Sequence, residues 1–301
     1  KNIDNYTRIC IMLGLVLLII ILFNKLPVIE NFENNLDEQT SKHITKNNDN
    51  LYDKFYVDIY DKLVHSDVKN KYEISNLQKI AYLDDNSIVL DVGSGTGRHC
   101  SIMEKLGCSC TGIDTSSSMI EKSKKIAPKS KFIKENVLTT MIFPANSFTH
   151  ITVFYFTLYY LKNKKLFFKN AYHWLTPGGY LIIHLVNKHK FDPIIPAGDP
   201  LLLLSAQKYS KERITNTTVK FDQFKYKSNF TLKDDDKTAV FDEKFTFPSG
   251  KVRRNNHVLW MDDQTTILGM AKNIGFILTA KLDLTRCLYD KQYLYVLQKP
   301  N

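Results

Sequence analysis

The sequence predicts an α/β protein with a doubly wound sheet, mostly parallel with an antiparallel last strand, and an inserted antiparallel β layer after strand five. Three observations carry this. From Ser87 onward, short β-rich runs alternate with single helical stretches. Those runs are apolar on both faces, which is the pattern of parallel strands covered by helices on either side. Between Phe191 and Asn256 the rhythm breaks into period-two alternation, in Val219-Lys-Phe-Asp-Gln-Phe-Lys-Tyr and again in Val240-Phe-Asp-Glu-Lys-Phe-Thr-Phe, closing at the Pro-Ser-Gly turn at 248–250.

The parallel strands are expected at about 88–92, 109–114, 131–134, 150–155 and 179–186, with helices near 97–106, 116–127 and 164–175. A last helix at about 263–274 stops at Gly275, and strands near 276–284 and 291–298 finish the sheet. Before the first strand, Tyr52, Phe55, Tyr56, Ile59, Tyr60 and Leu63 recur at helical spacing. Residues 51–301 thus read as one domain with its insertion at about 191–256. Residues 30–50, rich in Asn, Asp, Glu, Lys and Thr, read as a polar linker.

At the start, Ile9 to Phe23 is an unbroken apolar or glycine run between Arg8 and Asn24. As a helix it would span roughly 22 Å, short of the hydrocarbon core, a gap that snorkelling of Arg8 and Lys25 can close. No pair of small residues follows for a signal peptidase, so a single-pass membrane anchor within residues 1–29 is favoured over a cleaved leader or a buried core helix. Lys and Arg flank both sides of the run and leave its orientation open.

The 301 residues carry a net charge of +10, but the basic residues are dispersed rather than gathered in blocks. RNA or anionic lipid is a possible partner on that ground, and a solvated surface accounts for the charge as well. The composition excludes a disordered chain. Five cysteines lack the paired C-x-x-C spacing of zinc or dithiol sites, so reduced thiols and no metal are expected.

The chemistry concentrates in Ile88-Val-Leu-Asp-Val-Gly-Ser-Gly-Thr-Gly-Arg98, a strand running into a glycine loop that opens a helix. Glycines allow the tight turn and bring backbone amides close to a ligand at the helix N-terminus. The spacing Gly93-x-Gly95-x-Gly97 is one residue shorter than the dinucleotide fingerprint, and Asp91 precedes the loop, where it can meet a cation. That suits a sulfonium amino acid with a free ammonium better than a pyrophosphate. A second element, Thr111-Gly-Ile-Asp-Thr-Ser-Ser-Ser-Met-Ile, is a strand ending in an acid before a helix start, so Asp114 can accept both hydroxyls of a ribose.

These motifs resemble the class I S-adenosylmethionine-dependent methyltransferases of Rossmann-like fold, particularly the broad type 11 group, over residues 86–186. The resemblance implies S-adenosyl-L-methionine as cofactor. It implies a site near Asp91, Gly93, Ser94, Gly95 and Gly97, with Asp114 at the ribose, Met119 and Asn136 at the adenine, and Thr115, Val137 and Phe154 also binding the cofactor. Relatives carry Asp where Asn136 stands, and an amide oxygen can accept the same bond. Thr149 also stands where an Asp is common, and Leu175-Thr-Pro-Gly-Gly resembles the turn before the fifth strand.

Methyl transfer is an in-line displacement, so it needs alignment, exclusion of water and a base for any proton the nucleophile loses. His184 and His257 are the candidate bases, and each can equally be a satisfied structural histidine. Tyr52 and Tyr56 fall where relatives place a cofactor lid. In Phe154-Tyr-Phe-Thr-Leu-Tyr-Tyr, the aromatics, Tyr159 among them, line the donor pocket or fill the core. No Asn-Pro-Pro-Tyr motif is present, which disfavours amino methylation of DNA bases. The expected function is methyl transfer to a small molecule or exposed protein group on a membrane-tethered domain facing the cytosol. RNA methylation and a non-catalytic structural or virion role on the same fold are the alternatives.

Overall fold

The structure, a computed structural model, describes residues 12–14, 42–198, 207 and 210–301. Its main sheet holds β2 (Ile88–Val92), β3 (Ser109–Asp114), β4 (Lys131–Lys134), β5 (Phe148–Val153), β6 (Leu175–Val186), β11 (Ile277–Asp283) and β12 (Gln292–Gln298). The order is β11-β12-β6-β5-β2-β3-β4. Strands β2 to β6 pair in parallel, and β12 runs antiparallel between β6 and β11. The chain steps from β2 outward to β3 and β4, then returns past β2 to β5. That reversal creates the switch point at which ligands bind beyond the strand ends.

Helices α3 (Arg98–Lys105), α4 (Ser117–Ile126), α6 (Lys164–Trp174) and α7 (Gln264–Ile274) make the crossovers, preceded by α1 (Lys54–Val64) and α2 (Asp67–Ile80); α5 is the single turn Thr157–Tyr160. Their starts follow the sequence. Asp53, Ser66 and Ser116 each accept an N–H from the first turn, from Tyr56, Lys69 and Met119. Gly275 ends α7 at φ +121°, a conformation a side chain would strain.

The insertion folds as four antiparallel strands, β7 (Asn216–Lys220), β8 (Lys225–Leu232), β9 (Thr238–Thr246) and β10 (Val252–Trp260). A fifth strand, β1 (His43–Asn47), joins its edge in parallel with β10, with Ile44 opposite Arg253. This differs from the linker expected at 30–50. Only Ile44 of β1 is buried, and the strand is held by backbone pairing that composition does not reveal.

Arg253 is buried in this layer at 1% exposure. Its guanidinium donates to the Asp53 carboxylate at 2.7 and 2.9 Å and to the Leu51 carbonyl at 2.9 Å. It therefore ties β10 to the start of α1. Arg254, alternating to the other face, is exposed.

The single-pass anchor requires correction. Among the described residues no helix is long and apolar enough to cross a membrane. Of the Ile9–Phe23 run only residues 12–14 are described, as one helical piece; the rest lies outside the described residues, as do residues 30–41.

Candidate active site

The glycine loop leaves the carboxyl end of β2 with Gly93, Gly95 and Gly97 at φ +64°, +53° and +80°. These left-handed conformations favour glycine at every turn of the loop. The Gly93 and Ser94 amides donate to the Ile113 carbonyl at 2.8 and 3.1 Å, pinning the loop to β3. A Cβ at Gly93 would stand 2.4 Å from the Thr157 methyl, so the wall is closed there to any side chain. Gly97 packs beneath the loop against Ser123 and Phe132. Ser94 is also beneath it, its buried hydroxyl oxygen without a hydrogen-bond partner.

Asp114 ends β3 with its carboxylate braced by two backbone amides, Gly95 to Oδ2 at 3.0 Å and Ser116 to Oδ1 at 2.9 Å. Loss of surrounding water raises its carboxyl above the ordinary value despite these donors. A cavity of about 560 Å³ opens in front of it. Gly93, Gly95, Asp114, Thr115, Met119, Asn136 and Val137 all line this cavity, so most of the expected cofactor residues come together. The Asn136 side-chain oxygen already accepts the Leu138 amide at 2.9 Å.

Tyr52, just ahead of α1, and Tyr60 within it line the cavity. The helix is clasped to the glycine loop by Asp61, which accepts from Thr96 Oγ1 at 2.7 Å and from Arg98 at 2.7 and 3.0 Å. Ser116 Oγ donates to the Tyr52 carbonyl at 2.6 Å. The lid thus rests on the same two loops that shape the cofactor side.

Across the cavity, Tyr160 begins a chain of hydrogen bonds. Tyr52 donates to the Tyr160 hydroxyl at 3.0 Å, and Tyr160 lies 2.5 Å from His257 Nδ1. His257 Nε2 is 2.8 Å from Glu243, whose carboxylate also accepts from Tyr226 at 2.8 Å and Asn255 at 3.0 Å. Burial alone would raise the Glu243 carboxyl, but His257, Asn255 and Tyr226 outweigh it and hold it below the ordinary value. An ionised carboxylate only accepts, so Nε2 carries a proton, and in the neutral imidazole Nδ1 is then the acceptor for Tyr160. Burial keeps Tyr160 protonated by raising its phenol well above the usual range.

A second cavity of about 60 Å³ adjoins the first, and Phe156 and Tyr160 line both. His257 lines the smaller one. Phe156 and Tyr160 belong to the aromatic run expected to line the donor pocket or fill the core, whereas no site role was expected of Tyr60 or Glu243. One signal was present: in β9, period two places Glu243 on the face of Phe241 and Phe245, an acid on an aromatic stripe.

Other expected site residues lie off these walls. Asp91 is 2% exposed, and its carboxylate accepts from Thr152 at 2.8 Å, with Cys100 Sγ at 3.5 Å, so it ties β2 to β5 and α3 and does not line the cavity. Phe154 is buried with its ring stacked 3.9 Å from His99. His99 in turn bonds Glu73 at 2.9 Å, and Lys69 does so at 2.8 Å. Burial opposes a charge on Glu73, yet this pair holds its carboxyl at about 2. Tyr56 packs among Tyr52, Tyr60, Phe245 and His257. The fully buried Tyr159 hydroxyl accepts the Val186 amide at 2.9 Å.

His184 is fully buried between the Tyr155 carbonyl at 2.5 Å and Gln292 at 3.1 Å. It is a structural histidine. Burial, aided by Lys69, lowers its imidazole to about 4. Because the folded value lies below the unfolded one of about 6.5, the unfolded chain takes up the proton first as pH falls. Stability is therefore expected to drop from pH 6.5 to pH 4 by on the order of 3 kcal/mol from this group. Urea titrations at pH 7 and 5 check it: a His184→Gln variant should lose less of its stability on acidification than the parent.

Residues 90–183 match the family described as Methyltransferase domain. Over 105 residues the chain is 39% identical to a phosphoethanolamine N-methyltransferase of Plasmodium falciparum, covering 34% of this chain and 40% of that protein. The chain thus spans well under half the length of this curated relative. The CcbJ methyltransferase of Streptomyces caelestis is similar in structure, with a TM-score of 0.64 at 18% identity over 84% of this chain and 100% of that one. CalS10, an amino pentose methyltransferase from Micromonospora echinaspora solved with S-adenosylmethionine bound, gives a TM-score of 0.54 at 15% identity over 77% and 91%. Residues 90–183 thus match a methyltransferase domain, carried on a Rossmann-like doubly wound sheet.

Proposed function

We propose that this chain transfers the methyl group of S-adenosylmethionine to a small molecule held in the pocket beside the cofactor cavity. The observation that carries the reading is the meeting of the two cavities at Tyr160, the residue hydrogen-bonded to His257. The donor set fits the cofactor: a carboxylate braced for ribose hydroxyls, glycines where a Cβ would intrude, and Met119 and Val137 on an apolar wall. When bound, S-adenosylmethionine supplies a methyl on a positively charged sulfur, which departs with the bonding pair as S-adenosylhomocysteine. Tyr52 and Tyr60 cover the cofactor side and exclude water. The acceptor's lone pair forms the new bond to carbon, and its proton passes through the Tyr160 hydroxyl to His257 Nδ1. Glu243 then faces an imidazolium and stabilises it. Among the described residues neither cavity is lined by Lys or Arg, which favours a small acceptor over RNA.

Calorimetric titration of S-adenosylmethionine and S-adenosylhomocysteine tests the cofactor half. Wild type should bind both, and Gly93→Val should bind neither, since its side chain would fill the cavity floor. A folded wild type that binds neither would sink the proposal. Tyr160→Phe should retain S-adenosylhomocysteine affinity while methyl transfer across an amine panel slows by roughly 10²- to 10³-fold. Binding without turnover on any acceptor would favour the non-catalytic alternative.

A further inference from the structure

The smaller cavity has a character of its own. Its walls are aromatic, formed by Tyr155, Phe156, Tyr160, Phe191, Phe230 and Phe241, with His257 beside them. The rings interlock, Phe191 edge-on to Phe230 at 5.1 Å and Phe241 tilted on His257 at 5.5 Å. Its charged lining is acidic, with cations behind three of the rings, Lys69 Nζ lying 5.4 Å from the Tyr155 ring. The acid Asp192 stands on the wall, Glu243 sits behind His257, and no Lys or Arg lines it among the described residues. Arg213 lies over the rings of Phe191 and Phe230, at 4.7 and 5.2 Å. Its N–H groups donate to the main-chain carbonyls of Phe191 and Lys188, at 2.8 to 3.1 Å.

Aromatic faces carry negative potential and attract a cation, whereas an anion placed among them finds no Lys or Arg on the lining among the described residues. Size narrows the choice. A water needs about 10–15 Å³ of such space, so 60 Å³ takes a group of about four heavy atoms, the size of a methylated ammonium head.

We propose that the acceptor is an amine on an apolar body, held as its ammonium among these rings, and that phosphate-bearing amines are excluded. This rests on the methyltransferase reading above. It separates this chain from its Plasmodium falciparum relative, a phosphoethanolamine N-methyltransferase by name. It also explains why a proton relay borders the pocket, because an ammonium has no lone pair to methylate until Tyr160 passes one N–H proton to His257.

The test is equilibrium binding to the full chain saturated with S-adenosylhomocysteine. The probes are N,N-dimethylbenzylamine, its uncharged analogue isobutylbenzene, phosphoethanolamine and phosphocholine. The dimethylamine should bind about tenfold or more tightly than the neutral analogue and both phosphates. Phe230→Ala and the milder Phe241→Leu should each weaken the amine severalfold to tenfold while leaving S-adenosylhomocysteine affinity unchanged, which shows that the fold persists. Equal or tighter binding of either phosphate, or an amine affinity indifferent to both substitutions, overturns the proposal. If S-adenosylhomocysteine binds and no amine does, the acceptor assignment fails alone; if S-adenosylhomocysteine does not bind, the methyltransferase reading has failed first.

Discussion

Replacing Asp114 with Ala is expected to weaken S-adenosylmethionine and S-adenosylhomocysteine by roughly 10²- to 10³-fold. Each oxygen of this carboxylate already accepts one backbone N–H, from Gly95 and Ser116, and each retains a lone pair for a ribose hydroxyl. The backbone donors fix the carboxylate before the cofactor arrives, so little ordering remains to be done on binding. Hydrogen bonds to a charged group are worth about 1.5–3 kcal/mol each, and two of them correspond to two or three decades of affinity. Asp114→Asn keeps the shape but places an NH₂ against one amide donor, and an intermediate loss is expected. Titration calorimetry of the three proteins decides: equal affinities would mean that the end of β3 does not hold the ribose.

Glu243→Ala is expected to lower the stability of the folded chain by about 3–5 kcal/mol. Glu243 is 2% exposed, and its removal leaves His257 Nε2–H, the Tyr226 hydroxyl and the Asn255 amide together in a buried layer without their acceptor. In a domain of this size that is a fall in melting temperature of about 10 °C. Glu243→Gln keeps one acceptor oxygen and should cost less. Scanning calorimetry separates the two variants, and an alanine effect below about 1 kcal/mol would show that the cluster does not hold the layer together. A buried charge is seldom the most stabilising filling for a core, so its presence beside the acceptor pocket fits a role in positioning His257.

Much of the main sheet was legible in the sequence. Strands at 88–92, 109–114 and 131–134 fall where expected, and α6 and α7 agree within a residue. Runs apolar on both faces have few places to go but the middle of a covered sheet. Strand β5 begins two residues earlier than expected and β6 extends back through Pro177-Gly-Gly, where turn residues masked the pairing of Leu175 with Phe148. The edge strand β1 was not legible, because the HITKN sequence has the composition of a linker and acquires its strand conformation from β10. Likewise the sequence offers both His184 and His257 as bases, each a histidine within a β-strand. One is enclosed by the Tyr155 carbonyl and Gln292, the other opens on a cavity.

By itself, then, the sequence determined the doubly wound sheet, the glycine loop and the acid at the end of β3. All three are local: a strand, its turn and the next strand's last residue lie within a few tens of positions. Only the tertiary structure decided which aromatics line the large cavity and which histidine opens on the smaller one. Tyr52 and Tyr160 stand 108 residues apart, and Tyr160 and His257 stand 97 apart. Their hydrogen bonds exist because the inserted antiparallel layer folds over the switch point of the parallel sheet, and no local pattern encodes contacts at that separation.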